Sequence, residues 1–389
     1  MRPALHTVLA AAGITVLALL TPAPSATAAA SPDLVGTVTE HLLTMQVSGT
    51  SAAEGRHPVV TVSRQSGGWA FGTAVLAGQP NTEGGNPYGW LFVAKRTAHD
   101  WQLGFEGERA FAELSGTAPM ISPTERELFA SHGAGPGVEY ANGDYRTGMR
   151  LPWTTGVTWT MSGGPHGWAG TDRPYSSLDL HGGDQVVRAA RAGTAYTMCK
   201  GWIRVIHDRG YATDHYHLWN NINVNGAAVS AGTRLGDTGT DVTCGGSASG
   251  RHVHFALRQN GAYVPMHSHN LGGWVPIEGA AYGGYALHGS RAVYPGGGLY
   301  NYGALGFTQG IMDANGGTTV NKRSGPGTNY GIVGSVADGT TVTVSCSANG
   351  TTHTGRWGST SLWNRLTDGT WVSDAFMWTG LNGPVHGYC

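Results

Sequence analysis

Along Arg251-His252-Val253-His254-Phe255-Ala256-Leu257, histidine and apolar side chains alternate, with Val253, Phe255 and Leu257 on one set of positions. As a strand, this run projects both imidazoles from one face, because strand side chains have a period of two. Two imidazoles one strand step apart can divide the work, one holding a metal and the other moving a proton. A second pair lies upstream at His215-Tyr216-His217, together with an isolated His166 and Asp179. This combination points to metal-assisted hydrolysis.

The rest of the composition agrees with strands. The chain has 389 residues, 63 of them glycine, and only 12% are charged. Short strands joined by Gly, Asn, Thr and Ser turns suit such a sequence better than helical layers do. The length predicts two or three domains. A net charge of -1 gives no electrostatic reason to expect nucleic acid or an acidic membrane surface as a partner.

The beginning of the chain reads as a secretory signal over residues 1–28. Arg2 supplies the basic start, Val8 to Leu20 the apolar stretch, and Ser25-Ala26-Thr27-Ala28 the small-residue end. The apolar stretch is shorter than the ~20 residues a membrane span needs, and no later segment replaces it. The mature protein is therefore expected outside the cell. Four cysteines fit an oxidising exterior and allow three pairings. Cys199–Cys244 with Cys346–Cys389 is favoured, since each bridge then stays within one domain.

Three regions follow. Residues 31–140 carry a helix over Asp33 to Met45 and then alternating segments such as Trp69 to Leu76 and Gly89 to Ala94. They predict an α+β unit with a meandering antiparallel sheet, and Arg109 to Leu114 as strand or loop. The small residues of Ser131 to Gly137 suit a flexible, cleavable connection. Residues 141–285 hold the histidines and predict an antiparallel β-sheet domain. Residues 286–310, with Tyr294-Pro295-Gly296-Gly297-Gly298, read as a linker, and 311–389 again as short strands. The fold class is mainly β.

A catalytic zinc takes about three His, Asp or Glu ligands and leaves one position for water. His166, Asp179 and one of His252 and His254 are the candidates, with His217 and the other late histidine as acid, base or oxyanion donors. Taken singly, His166 suits a solvated loop, Asp179 a turn, and a His-x-His an exposed strand face. All of them within an 89-residue window, 166 to 254, are harder to assign to such roles.

The region from Leu151-Pro152-Trp153 to Asn260-Gly261 resembles the zinc endopeptidases of the lysostaphin type, in particular their β-lytic (staphylolytic) branch. The resemblance is carried by His166 and, thirteen residues on, Asp179, and by His215-Tyr216-His217-Leu218. Asn223-Val224-Asn225-Gly226, Gly236-Asp237-Thr238-Gly239 and Ser249-Gly250-Arg251-His252-Val253-His254-Phe255 continue it. It implies His166, Asp179 and His254 as ligands of one zinc ion per chain, and His217 and His252 as the catalytic pair. The thirteen-residue gap points to the β-lytic branch, which also has a disulfide where Cys199 and Cys244 stand. His215 occupies a position where the family often has an aromatic residue, which implies a supporting or exposed role.

By the same resemblance residues 31–140 are a propeptide, and the enzyme hydrolyses Gly-Gly or Ala-Gly bonds of bacterial peptidoglycan. Residues 311–389 resemble a bacterial SH3-type domain through Val320 to Tyr330, Ile332-Val333-Gly334, Asp338-Gly339-Thr340 and Trp371-Val372. That implies a small β-barrel that targets the cell wall. A secreted, monomeric, bacteriolytic zymogen is the expectation. An amidase acting at the sugar–peptide junction and a non-catalytic wall-binding regulator are the alternatives.

Overall fold

The computed structural model describes residues 33–132 and 143–389. The expected signal peptide and most of the Ser131–Gly137 connection lie outside the described residues. The remainder is mainly β, with antiparallel pairing throughout its named strands. Among the described residues, no helix is long and apolar enough to cross a membrane.

The N-terminal unit opens with helix α1 (Leu34–Leu43), started by the Asp33 side chain, which accepts a hydrogen bond from the Val35 amide at 3.1 Å. Leu34, Val38 and Leu42 recur every four residues and form its buried face. Four strands follow in meander order: β1 (His57–Ser66), β2 (Trp69–Ala77), β3 (Tyr88–Arg96) and β4 (Trp101–Phe105). The stretch from Arg109, expected as strand or loop, is instead helix α2 (Arg109–Thr117), which buries Phe111, Leu114 and Ser115. A further helix, α3 (Pro123–Ser131), starts with a capping box in which Ser122 and Glu125 satisfy each other's backbone amides.

The histidine-bearing region forms a nine-stranded sheet. Its members are β5 (Thr158–His166), β6 (Ser177–His181), β7 (Gly193–Cys199), β8 (Trp202–Ile206), β9 (Tyr211–Tyr216), β10 (Asn225–Val229), β11 (Val253–Gln259) and β12 (Gly298–Tyr300), with Ala262–Tyr263 paired to β11. The spatial order is β10-β7-β8-β9-β11-β6-β5-β12. Strand β12 comes from the stretch expected to be a linker and closes the β5 edge through Gly298↔Thr160, Leu299↔Trp159 and Tyr300↔Thr158.

The central strands β8, β9 and β11 are buried along their whole length, which requires cover on both faces. On one side Ile203, Val205, Val253, Phe255 and Leu257 join a core with Trp153, Trp159 and Trp274. On the other, Trp202, Ile206, Ala212, Tyr216 and Ala256 pack with Phe71, Val75, Leu91, Val93 and Phe129 of the N-terminal unit. The two layers are also joined by buried charges. Arg204 reaches Glu106 Oε2 of the N-terminal unit at 2.6 Å and clasps Asp214 with two bonds of 2.9 Å.

The last region is a seven-stranded sheet drawn from Gln309–Met312 through Met377–Trp378. Trp363 and Trp378 are buried in it, whereas Tyr330 is exposed. Both expected disulfides, Cys199–Cys244 and Cys346–Cys389, are present.

Candidate metal centre

Strand register brings the site together. Gly163 of β5 lies opposite Asp179 of β6, Asp179 opposite His254 of β11, and His254 opposite Tyr216 of β9. Directly opposed residues share a face, so Asp179 and His254 project to the same side. That side is the one the N-terminal unit packs on, since the neighbouring even-numbered Ala256 belongs to the shared core. Gly163 is required here, because a Cβ would stand 2.7 Å from Asp179 Oδ2. His166, fully buried at the end of β5, completes the group.

Three donor atoms converge. His166 Nε2 lies 3.2 Å from His254 Nδ1, His254 Nδ1 lies 3.0 Å from Asp179 Oδ1, and His166 Nε2 lies 3.4 Å from Asp179 Oδ1. A tetrahedral zinc with bonds of about 2.0–2.1 Å spaces its donors about 3.3 Å apart, so the triangle has the size such an ion needs. The donor set also suits it: two imidazoles and one carboxylate. His166 Nδ1–H donates to the Gly164 carbonyl at 2.7 Å, which leaves its Nε2 with the lone pair aimed at the group.

Electrostatics favours an ionised carboxylate. Burial alone would raise the Asp179 carboxyl, but the His166 and His254 imidazoles packed against it hold it well below the ordinary range. Burial lowers the pKa of His254, a shift opposed by its bond to Asp179. Two neutral imidazoles and a carboxylate carry one negative charge against a divalent cation.

Two more histidines flank the triangle. His217 follows the last residue of β9, and an extended backbone there would turn it away from the Tyr216 side. It instead adopts a left-handed conformation (φ 67°), which breaks the alternation. Its ring then lies 4.9 Å from His252 and 5.9 Å from His254, centroid to centroid. Its Nδ1–H donates to the Asp241 carbonyl at 2.9 Å, and His252 Nδ1–H donates to the Gly250 carbonyl at 2.7 Å. With Nδ1 so engaged in each ring, Nε2 is the nitrogen left facing the site. Burial, then the adjoining charges of His252 and His254, push the His217 pKa down to about 3.

Of the five residues singled out in the sequence, Asp179, His217, His252 and His254 line one cavity, and His166 is buried beside it against His254. His215 does not join them: it is fully buried on the opposite face against Phe255, at 5.2 Å between rings, so it is neither exposed nor in the site. Two further contributors carried no signal of their own. Tyr282 stacks on His166 at 4.0 Å, and Trp168 meets His254 edge-on at 5.0 Å. Burial, then the negative charges of Asp179 and Glu83, raise the Tyr282 hydroxyl to about 12.

No family model matches the chain. It is 35% identical over 158 residues to the protease LasA of Pseudomonas aeruginosa, which covers 38% of this chain and 35% of LasA. It therefore spans about a third of that relative's length. To the beta-lytic metalloendopeptidase of Lysobacter enzymogenes it is 27% identical over 146 residues, 34% of this chain and 82% of the relative. Among solved structures, the M23 metalloprotease pseudoalterin from the deep sea is 34% identical over 39% of this chain and 97% of its own, with a TM-score of 0.37. Identity at that level over nearly the whole of the pseudoalterin chain decides the family.

The chain belongs to the M23 metallopeptidases. M23 enzymes use a metal ion, and the His166–Asp179–His254 triangle is the M23 sheet's fitting donor set; among the described residues it is the one group of His, Cys, Asp and Glu close enough to hold a cation.

Proposed function

We propose that this M23 chain is a secreted zinc metalloendopeptidase that hydrolyses peptide bonds of bacterial peptidoglycan, at Gly-Gly or Ala-Gly positions, and lyses bacteria. His166, Asp179 and His254 hold the zinc ion, one per chain, and His217 and His252 are the catalytic pair. The observation that carries this is the triangle of donors at 3.0–3.4 Å, flanked by two imidazoles whose Nδ1 protons are tied to carbonyls.

When bound, zinc supplies a Lewis acid for the scissile carbonyl and acidifies water at the site. The chain's own residues then have distinct tasks. His166 and His254 are held rigidly by burial and by the strand register. The Nε2 atoms of His217 and His252 accept a proton from the attacking water and return one to the leaving amine. Burial disfavours the charged form of His217, so its Nε2 enters the reaction unprotonated.

Around this domain, residues 1–28 act as the signal peptide, 31–140 as the propeptide and 311–389 as a bacterial SH3-type module that binds the cell wall. The resemblance of Val320 to Tyr330 and Trp371-Val372 to such modules supports the last assignment. The enzyme works as a monomer, without nucleic acid or membrane insertion. Product analysis on Gly-bridged peptidoglycan tests the reading. New glycine or alanine amino termini are expected; release of whole stem peptides would mean an amidase, and release of neither a binding protein.

A further inference from the structure

His217 and His252 have a charged and an aromatic neighbour that the mechanism above does not use. Arg251 stands between Ser249 and His252, both of which line the cavity of about 320 Å³ that Asp179 and His254 also line. Trp219 follows His217, another lining residue, by two positions. Both neighbours are exposed, so the pair borders the cleft and is open to solvent.

One short segment, Asp237-Thr238-Gly239, ties both to the histidines. On one side the Trp219 amide donates to the Asp237 carbonyl at 2.9 Å, and the Asp237 amide returns a bond to the Trp219 carbonyl at 2.8 Å. On the other, the Gly239 amide donates to the His252 carbonyl at 3.0 Å and the His252 amide to the Gly239 carbonyl at 3.1 Å. A Cβ on Gly239 would collide with the His217 carbonyl oxygen and the Trp219 ring, so the indole lies directly on this segment. Thr238, fully buried between the two rungs, receives the arginine. Arg251 Nε donates to the Thr238 carbonyl at 2.9 Å and to its Oγ1 at 3.1 Å. Thr238 Oγ1 gives its own proton to Gln185 Oε1, which leaves a lone pair for Arg251. The guanidinium then sits 5.1 Å from the centre of the Trp219 ring.

These contacts fix Arg251 by Nε and by one ring face, and they leave its outer edge unused. Among the described residues neither Nη atom has a hydrogen-bond partner, and no carboxylate lies within ion-pair distance of the guanidinium. The acidic residues of the neighbouring loop are engaged elsewhere. Arg234 and Asn220 each donate to Asp237 at 3.0 Å, and Lys200 lies 3.3 Å from Asp241. A guanidinium held in this way presents its two Nη groups as a fork, which matches the two oxygens of a carboxylate. Because the anchoring has already ordered the side chain, a carboxylate binds without the full entropy cost of ordering it.

We propose that Arg251, seated on Trp219, is a specificity residue of this M23 chain that binds a free carboxylate of the peptide substrate a few residues from the scissile bond. This rests on the metallopeptidase reading and adds the chemical class of substrate that its cleft prefers. Peptides with a free carboxylate gain binding energy that their amidated counterparts lack. The anchored carboxylate also fixes which peptide bond reaches the donor triangle.

The test uses the full chain, expressed in a secreting host and recovered from the medium, as wild type, Arg251→Gln and Arg251→Lys. Zinc content is measured first. Nα-acetyl-hexaglycine is then offered as the free acid and as the C-terminal amide. In an all-glycine peptide the register slides freely, so the carboxylate reaches Arg251 whatever spacing the cleft requires. Wild type is expected to favour the acid by about tenfold in kcat/KM, chiefly through KM, and to cut it at one distance from the C-terminus. Arg251→Gln should bring that ratio to about one and spread the cut sites, and Arg251→Lys, with the charge but not the fork, should fall between. A purely structural role would lower both rates together and leave the ratio unchanged. A wild type that cleaves both peptides equally, or an Arg251→Gln that retains the wild-type ratio, overturns the proposal while the metallopeptidase reading stands. If zinc-loaded wild type cleaves neither peptide, the Gly-Gly peptidase reading fails and takes the proposal with it. Should Arg251→Gln not fold, the wild-type ratio and its drop in Arg251→Lys give the same decision.

Discussion

Asp179 and His254 face each other across paired strands, and Asp179 Oδ1 lies 3.0 Å from His254 Nδ1. The geometry is set by sheet register, so neither side chain has to search for the other. Asp179→Asn keeps the volume but removes the charge that offsets a divalent cation. Zinc affinity, measured by chelator competition, is expected to drop by more than the 10–100-fold that loss of a merely supporting group costs. An unchanged affinity would place the metal elsewhere.

His217 and His252 are predicted to separate from the ligands in a simple way. His217→Gln and His252→Gln should each lower kcat by about 10²–10⁴ while zinc content stays near one per chain. Metal loss in either variant would show that it is a ligand instead.

The buried histidines predict acid lability. Burial, partly offset by a bond to the Ala192 carbonyl, takes His207 down to about 3, and burial takes His215 and His269 to about 4. An unfolded chain protonates these groups near pH 6.5, so below that pH it binds more protons than the folded one. Stability should therefore fall as pH drops from about 6.5 towards 4, each group adding up to about 1.4 kcal/mol per pH unit. Urea midpoints at a series of pH values check the slope. Replacing His215 by Phe, on the face away from the site, should flatten the slope and leave metal content unchanged.

The Arg204–Glu106 contact ties the N-terminal unit to the histidine-bearing sheet. Burial opposes the Glu106 charge, but Arg204 and Arg258 outweigh it and keep its carboxyl below the ordinary range. Glu106→Gln leaves Arg204 buried with one carboxylate instead of two, and about 3 kcal/mol should be lost from the full chain. Denaturant unfolding of the two full-length proteins reads this directly.

Much of the site was legible because it depends on short-range pattern. The alternation at His252 to Leu257 placed His254 on a strand face, and the meander of the N-terminal sheet followed from its alternating segments. The helix at Arg109–Thr117 was not legible, since nine residues with three buried positions give too short a period to distinguish from a strand. The capping box at Ser122 and Glu125 was readable in principle and marks the other unforeseen helix. Tyr282 and Trp168 reach the centre only through tertiary contacts, which no local pattern announces. The left-handed backbone of His217 is likewise imposed by the surrounding fold.

The central claim is that His166, Asp179 and His254 hold the metal with which this M23 domain cleaves peptide bonds. Zinc content and release of new amino termini from Gly-bridged peptidoglycan should be measured together for wild type and His254→Ala, each freed of its N-terminal unit. The account predicts about one zinc and new glycine or alanine termini for wild type, with both lost in the variant. A His254→Ala protein that keeps its zinc and its activity would contradict it.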